Sequence, residues 1–173
     1  MTPEPRSEAD EIIHLLRTVH AGAPWHGPSR RDLLADVDAA EAAWDPGAGA
    51  HGIWRQVLHM RNWTREVERR TVDGRRESES PVGGDWPPIP DRSEAAWREA
   101  LASLEAAHEQ LCAVVRRLPP ARLGEYVGAT PEQPAGTGIT IATMLRSLAE
   151  HDLYHCGQVS LLKRLARAAL GRA

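Results

Sequence analysis

The sequence predicts an all-α protein with four long helices, and two features support that prediction. Four segments repeat apolar residues every three or four positions, which is the spacing of an amphipathic helix with one buried face. Between these segments lie stretches rich in Gly and Pro, such as SPVGGDWPPIP at 80–90, that interrupt regular structure. No segment shows the apolar–polar alternation that is typical of a strand.

The first long helix is predicted over about 7–20. Ser7 is a candidate N-cap, and Asp10 follows it at the spacing of a capping box. The apolar residues recur at helical intervals: Ile12, Ile13, Leu16 and Val19. The run AGAP at 21–24 then ends the helix, because Gly favours termination and Pro cannot continue it.

The connector at 25–50 contains the run DLLADVDAAEAAW, which predicts one short extra helix between the first two long helices. The turn formed by Asp45, Pro46 and Gly47 ends this short helix. The second long helix is predicted over about 52–71, with Gly74 just beyond its end. Its buried stripe is predicted to be Ile53, Val57, Met60 and Val67.

The third long helix is predicted to begin after Asp91 or Ser93, either of which is a suitable N-cap, and to end at Pro119. Its stripe consists of Trp97, Leu101, Leu104, His108, Leu111, Val115 and Leu118. The fourth long helix is predicted over about 140–169, with a stripe of Ile141, Leu145, Leu148, Val159, Leu162 and Ala166. The chain length suits a single domain spanning 1–173.

Composition excludes several classes of function. Lys and Arg number 21 against 24 Asp and Glu, so the chain lacks the basic excess that a phosphate-binding surface needs. No apolar stretch is long enough to cross a bilayer or to act as a signal core. Cys112 and Cys156 have no metal-binding or redox spacing and indicate reduced thiols. We therefore expect a cytoplasmic protein that binds neither nucleic acid nor a membrane.

The candidate chemistry lies in the run EHDLYHCGQ of the fourth helix. His151 and His155 are four residues apart, which places both imidazoles on one face, one helical turn apart. That spacing lets two ring nitrogens bind one metal ion. Unpaired imidazoles facing the core are costly, and a metal ion satisfies both at once. The run is not the HExxH motif of zinc proteases, because Asp152 stands where that motif has Glu.

A third ligand has to come from another part of the chain. The candidates are His14, His20, His26, His51, His59 and His108. His59 lies on the border of the second helix's stripe, beside Gln56 and Trp63. His108 lies nearer the middle of its own stripe and is the stronger inward-facing candidate, although a buried histidine is more often a core residue than a ligand. The residues alone do not choose between the two.

The neighbours of the histidine pair each have a chemical and a structural interpretation. Asp152 falls near the centre of the stripe, where it accepts a hydrogen bond from a ligating imidazole or pairs with an Arg on a neighbouring helix. Gln158 lies beside the same face and contacts a water or bonds to another helix. Cys156 points about 100° away and is expected to be a small buried apolar residue. Trp63 shares a face with His59 and is expected to form a wall of the site.

Three stretches resemble the DinB-like superfamily of helical-bundle proteins, which includes YfiT-type metal-dependent hydrolases. They are PWHGPS at 24–29, GAHGIWRQVLHMRNWTREVERR at 49–70 and LAEHDLYHCGQVSLLKR at 148–164. The resemblance covers nearly the whole chain and implies a four-helix bundle whose helices run up, down, down and up. It also implies a metal site built from one histidine of the second helix and the HxxxH pair of the fourth. The matching residues are His59, His151 and His155.

The resemblance implies a function as well. Three imidazoles leave at least one coordination position open, so we expect a metal-dependent enzyme acting on a small molecule, with zinc or nickel as the ion. Some family members resemble thiol S-transferases or isomerases that use a low-molecular-weight thiol, and others resemble hydrolases. No side chain is assigned a catalytic role, because the reactive group would be a water or thiolate on the ion, with Asp152 and Gln158 nearby. Whether His108 or His26 joins the site stays open.

Two other hypotheses come from different functional classes. In one, the bundle is not catalytic and its metal ion is structural or sensed, which a fourth protein ligand such as His108 would favour. In the other, the protein is an interaction module without a metal, which predicts unligated histidines and an exposed apolar patch. By analogy with the family we also expect a homodimer.

Overall fold

The computed structural model describes residues 6–25, 27–75, 80–89 and 91–172, and within these ranges the protein is all-helical, as predicted. The elements are α1 (Glu8–Ala21), α2 (Arg30–Leu34), α3 (Ala39–Ala42), α4 (Ile53–Asp73), α5 (Glu94–Arg117), a 3-10 helix (Pro120–Gly124) and α6 (Ile141–Ala169). The described residues form no strand and contain one isolated β-bridge, between Tyr126 and Thr140. None of the described helices combines the length and apolarity that crossing a membrane requires.

The four long helices begin and end close to the predicted positions because local signals set their ends. Ser7, Ser93 and Thr140 cap α1, α5 and α6, and each side chain accepts a hydrogen bond from the amide three residues later. Asp91, the alternative cap of α5, instead accepts a bond from the Ser93 amide. Helix α4 ends at Gly74, whose φ of 68° is the left-handed conformation that Gly adopts without strain.

The connector after α1 differs from the prediction, because it forms two short helices, α2 and α3, rather than one. Asp38 interrupts the run, since its carboxylate accepts a bond from the Glu41 amide and starts a new helix. Lys163 of α6 donates to the Leu33 carbonyl near the end of α2, and Arg167 of α6 donates to the Asp36 carbonyl between the two short helices. The break is therefore stabilised by contacts with α6 that helical periodicity does not reveal.

Each long helix packs against two others: α1 contacts α5 and α6, and α4 contacts the same two helices. Trp54 and Trp97, near the N-terminal ends of α4 and α5, have ring centroids 5.1 Å apart, as expected of neighbours that run in the same direction. Glu8 and Arg146, near the N-terminal ends of α1 and α6, form an ion pair. The up-down-down-up order of the four long helices stays a prediction.

The apolar core has two parts. One contains the N-terminal halves of α4 and α5, the C-terminal half of α6, and α2 and α3. The other contains α1, the C-terminal half of α5 and the N-terminal half of α6. Between them, buried polar residues occupy the middle of the helices, with His108 on α5 and both Asp152 and His155 on α6. A polar layer thus crosses the middle of the bundle, and the candidate site lies in it.

Candidate metal centre

Three imidazole rings meet where α4 packs against α6. His59 lies on α4, and His151 and His155 lie one turn apart on α6. The Nε2 atom of His151 is 3.0 Å from the Nε2 atom of His59 and 3.0 Å from that of His155. The ligand atoms of the three residues all lie within 4.8 Å of one another, so the group could hold a metal ion. The structure thus brings together the histidines that the family resemblance indicated.

His108 takes a different role. It faces inward, as its place in the α5 stripe predicts, and only 3% of its surface is exposed. Its ring stacks on His20 with centroids 3.9 Å apart, and its Nε2 atom lies 3.6 Å from the Cys112 sulfur. Within the described part of the chain it is not a member of the three-histidine group. His108 is therefore a core residue.

The remaining candidate ligands lie apart from the group or cannot be placed. His14 is exposed on α1, and the Nε2 atom of His20 is 2.7 Å from a carboxylate oxygen of Glu105. His51 stacks on Trp86 with ring centroids 3.9 Å apart. His26, which the sequence left open as a further ligand, lies outside the described residues.

Hydrogen bonds fix the protonated nitrogen of two of the three rings. The Nδ1 atom of His59 lies 2.8 Å from the Asp85 carbonyl oxygen, which can only accept, so Nδ1 carries the proton. The Nδ1 atom of His155 lies 2.6 Å from Oε1 of Gln56, whose amide nitrogen donates to the His51 carbonyl. Gln56 therefore presents its oxygen to His155. In both rings Nε2 is left as a lone pair.

The third ring, His151, faces a carboxylate. Its Nδ1 atom is buried without a hydrogen-bond partner, 3.5 Å from the Asp152 oxygen Oδ1, which is also buried and unpartnered. The other Asp152 oxygen forms an ion pair with Arg30 of α2. The ion-pair interpretation of Asp152 thus describes Oδ2, whereas Oδ1 faces the imidazole without accepting a hydrogen bond from it. A small rotation of the His151 ring would let Nδ1–H donate to Oδ1, which again leaves Nε2 as a lone pair.

Three Nε2 lone pairs that point at one another repel unless a cation lies between them. Neighbouring nitrogens around a tetrahedral ion with metal–nitrogen bonds of about 2.0–2.1 Å are about 3.3 Å apart. The 3.0 Å separations within the group are close to that value. A proton on Nε2 of His151 satisfies only one of the other two lone pairs with a straight hydrogen bond, whereas one cation satisfies all three rings. The donor set therefore fits a divalent ion such as zinc or nickel.

The electrostatics keep the ligands neutral. Burial lowers the pKa of His59, although the Asp85 carbonyl opposes the shift. Burial, together with the neighbouring His151 and His59 rings, lowers the pKa of His155 to about 4. Both imidazoles are therefore unprotonated at neutral pH, as metal ligands must be.

Asp152 carries a charge within the polar layer. Burial is the largest influence and would raise the pKa of its carboxyl, but the Arg30 guanidinium together with the His151 and His108 rings holds that pKa below its ordinary value. Cys156, one turn beyond Asp152, is buried as the sequence predicts. Burial and the Asp152 charge raise the pKa of the Cys156 thiol to about 11, so it stays protonated and is not a nucleophile at neutral pH.

Aromatic side chains form a wall on the α4 side. Trp86 stacks on His59 with ring centroids 4.0 Å apart and the planes within 8° of parallel. Trp63 was expected to share this face, and its ring centroid lies 6.4 Å from that of His59 and 6.2 Å from that of His151. Its indole N–H donates to the Asp85 carboxylate at 2.8 Å. The wall thus joins α4 to the connector at 80–89.

Sequence reasoning missed Arg30, Asp85 and Trp86. The connector was treated as irregular structure, although an acidic residue and a Trp between Gly and Pro are a signal that it packs against the helices. Arg30 follows directly after the PWHGPS stretch, and the buried carboxylate predicted at Asp152 required such a cation. Gln158 was noticed, but its Oε1 atom lies 2.9 Å from Nδ1 of His155 on the same helix, a contact that neither interpretation included.

A comparison with protein-family models tests the family resemblance. The sequence model of the DinB superfamily matches residues 30–159, which is most of the chain. The chain belongs to the DinB superfamily. The matched region begins at Arg30 and contains His59, His151 and His155, so the whole candidate metal centre of this DinB-superfamily protein lies inside it. No curated protein and no solved structure matches the chain.

Proposed function

We propose that this DinB-superfamily protein binds one divalent metal ion, zinc or nickel, and is a metal-dependent enzyme that acts on a small molecule. The ligands are the Nε2 atoms of His59, His151 and His155. The observation that supports this most directly is the commitment of the Nδ1 protons of His59 and His155 to acceptors outside the group. With those protons committed, the Nε2 atoms of His59 and His155 are lone pairs that converge with Nε2 of His151, an arrangement that one cation satisfies.

An open coordination position favours a catalytic ion over a structural one. The group has three members within the described residues, whereas structural zinc sites usually have four protein ligands. His59 and His155 are buried, but the His151 side chain is 28% exposed, so the site is accessible from that side. An ion held there supplies Lewis acidity to a small molecule that reaches it.

The protein's own residues hold the ligand rings and orient them. Asp85 and Gln56 hold two of the ligand rings through their Nδ1 protons, and Trp86 covers one face of His59. Because Cys156 stays protonated, the nucleophile comes from the small molecules rather than from this thiol. We therefore place the protein among thiol S-transferases or hydrolases, with a low-molecular-weight thiol as one substrate class. The cytoplasmic location and the homodimer stay predictions.

Metal content tests the proposal directly. Protein purified without a histidine tag is expected to contain about one equivalent of zinc or nickel by mass spectrometry, since three imidazoles suffice to hold the ion. His59→Ala and His155→Ala are each expected to reduce the content below a tenth of that. His14→Ala, which changes an exposed histidine of α1, is the matched control and is expected to keep the full amount. Equal, sub-stoichiometric metal in all four proteins would contradict the proposal.

A further inference from the structure

One of the most deeply buried charges of the protein lies beside the metal centre rather than in it. Arg30 belongs to α2, a helix that supplies no ligand, and only 1% of its surface is exposed. One terminal nitrogen, Nη1, forms the ion pair with Asp152 on α6. The other, Nη2, lies 2.7 Å from Nδ1 of His20 on α1. The guanidinium therefore joins three helices inside the polar layer.

The direction of every hydrogen bond in this chain of residues is determined. Arg30 has only donors, so His20 must accept at Nδ1, and its Nε2–H then donates to Glu105 at 2.7 Å. Asp152 accepts from Arg30 through Oδ2. Its remaining oxygen, Oδ1, is left as an acceptor facing Nδ1 of His151.

Two of the five buried side-chain atoms without partners in the described residues are ones that such a chain would join. Oδ1 of Asp152 and Nδ1 of His151 are 3.5 Å apart, and neither has another hydrogen-bond partner in the described residues. Buried polar atoms without partners are uncommon and costly. His59 and His155 already donate to groups on α4 and the following connector. The Nδ1 atom of His151 instead faces Asp152, whose other oxygen pairs with Arg30 of α2.

We propose that Arg30 is a positioning residue for the metal centre. It holds the Asp152 carboxylate so that Oδ1 accepts the Nδ1 proton of His151, which directs Nε2 of His151 at the ion. The inference rests on the proposed function, since His151 is one of the three proposed ligands. It assigns part of the metal affinity to α2, and through His20 to α1, neither of which contributes a ligand.

A double substitution separates positioning from simple structural support. Arg30→Met with Asp152→Leu removes both charges and keeps their volume, and replacing a buried pair in this way is usually neutral or stabilising. The metal-free double variant is therefore expected to melt within a few degrees of the wild type. Its affinity for zinc, measured by competition with a chelator, is expected to fall about 10- to 100-fold, the usual effect of losing a group that orients a ligand.

A control removes another, partly buried ion pair that involves α6. Glu41 of α3 is buried and pairs with Arg167, three turns beyond His155. The double variant Glu41→Leu with Arg167→Met is expected to bind zinc as tightly as the wild type. If the Arg30 and Asp152 double variant also binds zinc as tightly as the wild type, the positioning role is wrong and the proposed function stands. If the wild type binds neither zinc nor nickel, the proposed function itself fails.

A second measurement is made first on the wild type, so it does not depend on whether the double variants fold. Nitrogen-15 NMR of the imidazole of His151 in the zinc-loaded wild type is expected to show a proton on Nδ1 that is hydrogen-bonded and slow to exchange. Arg30→Lys keeps the charge but not the two-armed geometry, so this proton is expected to exchange faster in that variant. An Nδ1 proton of His151 that exchanges freely in the wild type would overturn the proposal.

Discussion

The metal-free Arg30→Met variant is expected to be about 3–5 kcal/mol less stable than the wild type. The substitution leaves the Asp152 carboxylate buried without its cation, and an unpaired buried charge is among the most costly defects in a protein core. Urea denaturation of both proteins in the presence of a chelator measures the difference. A variant that no longer folds at room temperature would also agree with a loss of this size, because ordinary proteins are stable by only about 5–15 kcal/mol.

The control for this result is an ion pair on the surface. Arg17 pairs with Glu109, and their side chains are 48% and 54% exposed. Arg17→Met is expected to change the free energy of unfolding by less than about 1 kcal/mol, since water solvates the remaining carboxylate. Similar losses of unfolding free energy from Arg17→Met and Arg30→Met would show that the buried pair contributes no more to stability than the surface pair.

Stability of the metal-free protein is expected to fall as the pH drops from 7 towards 4. Burial, with His20 and Arg30 beside it, lowers the pKa of His108 to about 3, against 6.5 in an unfolded chain, and His155 titrates at about 4. Between those values the unfolded chain binds more protons than the folded one, so acid favours unfolding. This stabilisation is complete above pH 6.5, and each shifted histidine removes about 1.4 kcal/mol per pH unit below it.

Denaturant titrations across this pH range, on wild type and His108→Leu, check the assignment. The variant is expected to show a shallower fall, because one of the buried neutral imidazoles has been replaced by an apolar side chain of similar size. The fall does not disappear, since His155 still titrates in the metal-free protein. His14→Leu changes an exposed histidine and should reproduce the wild-type slope. Parallel curves for wild type and His108→Leu would exclude His108 as a source of the acid sensitivity.

The parts of this fold that sequence could predict are those governed by local chemistry. The cap at Ser7 and the terminator at Gly74 act through their own turn of helix, so their positions follow from residue type. The HxxxH spacing fixes His151 relative to His155 in the same way. The break between α2 and α3 could not be predicted, because cations from α6 stabilise it.

The third ligand shows the same limit. Periodicity placed His108 inside the core more firmly than His59, and both are buried. Two facts distinguish His59 from His108. Helix α4, which carries His59, packs against α6, and the His108 ring already stacks on His20. Neither fact is encoded by the spacing of residues along one helix, so resemblance to a family had to supply the choice. Arg30 escaped notice for the same reason, since its partners are 10 and 122 residues away in the sequence.

The part of the wall that stacks on His59, Trp86, belongs to a connector and not to the helical framework. Trp86 lies in a run of Gly and Pro, so helical periodicity restricts neither the length nor the sequence of this segment. Its ring nevertheless stacks on His59, a proposed ligand of the ion. Relatives that share the histidines but differ at 80–89 could accept molecules of different shape without any repacking of α4 or α6. The Asp85 carbonyl of the same connector accepts the Nδ1 proton of His59, so a connector graft that keeps this contact is the economical route to altering selectivity while preserving the proposed ligands.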